Sequence, residues 1–82
     1  MSRYFLHLRD HTEEVLDPEG TELASMEALR AFVLNCVRDL ISGDVKSGLV
    51  DFRFRLDAED ERGAIVHSLP FKNAFSIIPD AA

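Results

Sequence analysis

Residues 25–43, SMEALRAFVLNCVRDLISG, are the stretch of this 82-residue chain from which everything else can be placed. Met26, Leu29, Val33, Cys36, Val37, Leu40 and Ile41 recur at the spacing of one helical face, and Glu27, Ala31, Asn35, Arg38 and Asp39 fill the opposite arc. That pattern is a helix with one buried side. Ser25 is suited to cap its start, because a serine hydroxyl accepts a hydrogen bond from an otherwise unpaired amide of the first turn. Gly43 is a natural stop, since glycine adopts the left-handed conformation that commonly ends helices. The expected helix runs from about 26 to 42.

On the N-terminal side, residues 3–10 read RYFLHLRD. Tyr4, Leu6 and Leu8 alternate with Arg3, Phe5, His7 and Arg9, which predicts a strand over 3–9. Val15 and Leu16 form a short apolar centre before the turn signal Asp17-Pro18-Glu19-Gly20, and are read as a second, short strand pairing back on the first. On the C-terminal side, DFRFRLD (51–57) places Phe52, Phe54 and Leu56 on one side and Arg53 and Arg55 on the other. The acidic run 57–61 leading to Gly63 reads as a hairpin tip, and AIVHSLPF (64–71) as the returning strand. Pro70 lacks an amide hydrogen, so that strand lies at a sheet edge or ends there. Phe75, Ile77 and Ile78 are expected to close one end of the core.

The order is strand, strand, helix, strand, strand. It predicts a single α+β domain over residues 1–82, a two-layer sandwich with one helix across one face of an antiparallel four-stranded sheet. A β-grasp arrangement has the same element order and is the alternative. One helix covers only one face, so the apolar strand sides should turn towards Leu29, Val33, Val37 and Leu40. The uncovered face would then present Arg3, Phe5, His7, Arg9, Arg53 and Arg55. Aromatic and arginine side chains on an open sheet are the means by which some proteins hold single-stranded RNA, bases stacking on rings and guanidiniums meeting phosphates. The plainer reading is a wet strand face kept soluble by arginine, with Phe5 covered by a second subunit.

Composition narrows the classes. The chain is 46% hydrophobic and 29% charged, as an ordinary globular domain is. A domain of this size buries only roughly 60 to 65% of its unfolded surface, which leaves little room for a deep cleft. Fifteen acidic against nine basic residues give a net charge of −6, which disfavours a general nucleic-acid coat. No apolar run approaches the roughly 20 residues of a membrane span. The N-terminus lacks a cleavable signal pattern, so a cytoplasmic location is expected. Cys36 is the only cysteine, so neither an internal disulfide nor a thiolate cluster can form within one chain. Its position in the apolar arc makes it a small hydrophobe.

Catalytic patterns are absent from the sequence. His7 and His67 fall on opposite sheet faces by parity, His67 grouping with Ile65, Leu69 and Phe71 on the inner side. His11, Glu13 and Glu14 form a polar turn. The acidic run 57–61 lacks the ligand register of an EF-hand loop. There is no phosphate-cradling glycine loop and no G-x-S-x-G elbow. No enzyme, metal or cofactor is expected.

RYFLHLRD, the DPEGTEL segment leading through Ser25 into the helix, and the ending LPFKNAFSI together resemble a group of short bacterial, mainly alphaproteobacterial, proteins known only as a domain of unknown function. Members look like an RYFFHLRDG strand and turn, a D-x-x-G-x-E-L connection, a helix, and a hairpin ending in LPF. The chain departs at His11, where the family more often carries glycine, and at Asp60-Glu61-Arg62-Gly63, where the tip looks lengthened. The resemblance implies a small soluble domain and brings no catalytic residue or ligand. The expected function is therefore a non-catalytic interaction or regulatory module. It would self-associate as a homodimer or bind an unknown protein partner. The alternative is a single-stranded nucleic-acid-binding regulator, or an antitoxin-like protein, using the Arg/Phe/His face.

Overall fold

The computed structural model describes residues 1–80. Its helix, α1, spans Met26–Ser47, with the Ser25 hydroxyl accepting from Ala28 N–H at 3.1 Å. It passes Gly43 and ends at Gly48, whose φ of 90° turns the chain while Leu49 N–H donates to the Asp44 carbonyl at 3.2 Å. Gly43 fails as a stop because it lies on the solvent side, where nothing stands within 4 Å of an added β-carbon. The helix continues because Ile41 behind it is buried, and Gly48 supplies the left-handed residue instead.

Among the described residues five strands, all pairing antiparallel, lie against this helix: β1 (Ser2–Arg9), β2 (Glu14–Val15), β3 (Thr21–Leu23), β4 (Arg55–Glu59) and β5 (Ile65–Pro70). The order is β2-β1-β4-β5, with β3 also on β1. The fold is α+β with the expected layers, the sheet having five strands rather than four. Every pair being antiparallel, the β-grasp alternative is not the arrangement.

Leu29, Val33 and Val37 are fully buried and meet Leu56 and Ala58 of β4 and Phe71 and Ala74 beyond β5, with Tyr4, Leu6 and Leu8 of β1 packed alongside. At roughly 1.5–3 kcal/mol per buried aliphatic side chain, this stripe is the main source of stability.

Two segments differ from the alternation. β4 begins at Arg55, not at 51, because the Asp51 carboxylate captures Arg53: Oδ1 accepts from Arg53 N and Nε at 3.0 Å, and Oδ2 from Nη2 at 2.8 Å. That turn still delivers Phe54 onto Phe71 and Phe52 onto Phe75. β4 also runs further than expected, to Glu59. The tip is Asp60–Ala64, where Asp60 Oδ1 accepts from Arg62 and Ala64 amides and Gly63 sits at φ 81°. A register shift after Ala58 pairs Ile65 with Glu59 on the open face, so Ile65 does not join His67 and Leu69 inside. Positive φ occurs only at glycines among the described residues, so His11 carries no left-handed strain.

Candidate interaction face and edge

The open face is set by cross-strand register. Phe5, Glu59 and Ile65 form one row, His7, Asp57 and Ser68 the next, and Arg9, Arg55 and Pro70 the third. Five of the six expected face residues lie on strands of this sheet, with Arg3 at the β1–β3 end. Arg53 does not join them, being held in the turn by Asp51, whose carboxyl is pulled down to about 2 by those hydrogen bonds.

Between the arginines lie acids that sequence reasoning places elsewhere. Asp57, only 1% exposed, receives Ser68 Oγ–H at 2.6 Å, Arg9 Nη1 at 3.2 Å and Arg55 Nε at 3.1 Å. Arg9 Nη1 also reaches Glu59 at 2.9 Å, and Arg3 Nη2 reaches Glu22 at 3.1 Å. Burial pushes the Asp57 carboxyl up, but the Ser68 and Arg9 hydrogen bonds and the Arg55 charge outweigh it, so it is held below the usual range. The Arg9 guanidinium is in turn held above its ordinary value, chiefly by Glu59 and then Asp57. Asp57 and Glu59 are strand residues, not part of the hairpin tip. The alternation Arg55-Leu56-Asp57-Ala58-Glu59 is the signal in the sequence that could have placed them there.

Phe5 is half-buried, because the loop between β2 and β3 crosses it. A β-carbon on Gly20, at φ 73°, would lie 2.9 Å from Phe5 Cε2 and 2.8 Å from the Tyr4 carbonyl oxygen, so glycine is required there. His7 is buried under the same loop and accepts from Asp17 N–H through Nδ1 at 3.0 Å.

Asp17 also seals the sheet. β2 pairs with the C-terminal end of β1 and β3 with its N-terminal end, and between them Leu6 N–H donates to Asp17 Oδ2 at 3.2 Å, where a longer strand would have offered a carbonyl. The other Asp17 oxygen accepts from the Glu19 and Gly20 amides. Burial raises the Asp17 carboxyl, and the Gly20, Leu6 and Glu19 amides together bring it below its usual range.

The opposite edge is open. Among the described residues β5 pairs with β4 alone, and Ile65 and Val66 on it are 55% and 36% exposed. Phe71 N–H donates to the Phe54 carbonyl at 3.1 Å, extending the ladder by one pair. By antiparallel alternation the Arg55–Pro70 pair exchanges no hydrogen bonds, so the missing Pro70 N–H costs the β4 ladder nothing and Ser68 turns its backbone N–H and C=O outward.

Burial, with Asp39 adding to it, pushes the half-buried Cys36 thiol up, away from the reactive thiolate form. No helix among the described residues is long and apolar enough to cross a membrane. Neither curated proteins nor solved structures provide a match to the chain. Residues 3–72 match the family described as Domain of unknown function (DUF6894), and on that span the chain belongs to this family.

Proposed function

We propose that this domain is a non-catalytic interaction module that self-associates by adding β5 of one copy to β5 of a second across a twofold axis. The observation that carries the reading is the contrast between the two sheet edges. β1 is sealed by β2, β3 and the Asp17 carboxylate, whereas β5 leaves Ser68 backbone groups unpaired beside exposed Ile65 and Val66. An unpaired edge flanked by apolar side chains is a template for strand addition.

Binding of single-stranded nucleic acid by the open face has less support, because Arg3, Arg9, Arg53 and Arg55 each meet a carboxylate. Phosphate would have to displace those partners.

Light scattering on the purified chain tests the reading. Twice the chain mass is expected at micromolar concentration, unchanged by raised salt, and a single chain mass for Val66→Lys, which sets a charge on the edge. A wild-type monomer would sink the proposal. A mass that falls only on adding salt, with nucleic acid co-eluting, would favour the open face instead.

A further inference from the structure

His7 has no part in edge pairing, yet it is buried and its Nδ1 is held by a backbone amide. Nδ1 accepts from the Asp17 amide at 3.0 Å, so the single proton of the neutral ring is on Nε2, 3.5 Å from Glu59 Oε1. A second proton can enter only at Nδ1, where it consumes the lone pair that holds the loop and sets N–H against N–H. The Asp17 amide then loses its acceptor.

The surrounding charges act in both directions. Glu59 on β4 favours a positive ring, while Arg9 on β1, which shares Glu59, opposes it; Asp57 on β4 is committed to Arg9, Arg55 and Ser68. From the loop, the Asp17 carboxylate favours the charge but already accepts from Leu6, Glu19 and Gly20 amides. The freed Asp17 N–H needs an acceptor, and both nearby carboxylates are already engaged, Glu59 with Arg9 and the ring and Asp17 with the Leu6, Glu19 and Gly20 amides. The loop must shift to relieve the clash. It carries Leu16 and Pro18, which with Leu8 and Leu40 line an open apolar groove on the helix side.

We propose that His7 is an acid-sensitive latch on the loop 16–20: protonation at Nδ1 frees the Asp17 amide and loosens that wall of the groove while the helix and β4 stay in place. This is a device of the loop and does not depend on how copies associate. Nitrogen-15 NMR on the full chain, titrated downward from neutral pH, tests it. The His7 Nδ1 resonance should move from the unprotonated to the protonated position, and the hydrogen-exchange protection of the Asp17 amide should fall about tenfold or more at the same midpoint. Leu29 and Val33 amides should keep their protection. In His7→Asn, a side-chain oxygen replaces Nδ1 as a non-titrating acceptor, and Asp17 protection should become flat across that range. Titration of His7 with the Asp17 amide still protected would overturn the proposal, and so would a ring that stays neutral until the whole chain unfolds. Both outcomes are read on the wild-type chain and need no variant to fold.

Discussion

The two faces of the sheet are built from the same strands and held by different physics. On the helix side Leu56 and Ala58 meet Leu29, Val33 and Val37, and the attraction is non-directional and set by volume. One residue along the same strand, on the other side, Asp57 meets Ser68, Arg9 and Arg55, and the attraction depends on charge, geometry and pH. A thin domain thus obtains a second ordered layer without a second helix, by covering an open sheet with fixed ion pairs. Removing volume should hurt the first face, and removing charge the second.

The largest effect expected is from Leu29→Ala, which empties a fully buried site and should cost about 2–5 kcal/mol, read as a lower urea midpoint with little change in slope. Asp57→Asn keeps the volume and removes the charge between two arginines; a loss of about 2–3 kcal/mol is expected by the same measurement. It also separates the faces by pH. The Asp57 carboxyl is lower in the folded than in the unfolded chain, so its contribution is complete above the ordinary carboxylate range, near pH 4, and is lost as pH falls through the depressed value. Acid unfolding should therefore be shallower in Asp57→Asn than in wild type, whereas Leu29→Ala should shift the whole curve and keep its shape. Equal slopes in all three chains would mean that the open face contributes nothing through charge.

Smaller changes sharpen the contrast. Gly43→Ala, on the helix surface away from both faces, should stabilise by about 0.5–1 kcal/mol and raise the thermal midpoint. Arg55→Gln should cost less than about 1 kcal/mol, because Arg55 is partly exposed and Arg9 still serves Asp57. A loss as large as that of Asp57→Asn would show that the network works as one unit.

The helix side of the molecule is legible in its main stripe: Leu29, Val33, Val37 and Ile41 are buried, and Tyr4, Leu6 and Leu8 face the core as their alternation implies, whereas Leu40, Phe52, Ile77 and Ile78, expected in the core, stay exposed. The open face is legible only in half. Its cations stand out by parity, and the alternation of residues 55–59 would carry that parity to Asp57 and Glu59, but the acidic run that continues through Asp60 and Glu61 masks it, and nothing in the spacing shows that Asp57 is buried. Local side-chain chemistry hides the rest. Asp51 ends an alternation that would otherwise have begun β4 four residues earlier, and the three residues of β3 are too few to show a period. The Asp17 bond to Leu6 has no sequence signal, because it depends on where a turn comes to rest against a strand.

The sealing of β1 also has a consequence in time. β2, β3 and the Asp17 turn all fold onto β1 within the chain up to Leu23, a local wrap that closes quickly. β4 must instead return across the whole of α1 for Ala58 to find Leu6, and β5 can only follow it. Closing that long loop should be the slow event. Until it happens, only the other edge of β1 stands open, so a half-folded chain presents one receptive edge to its neighbours rather than two.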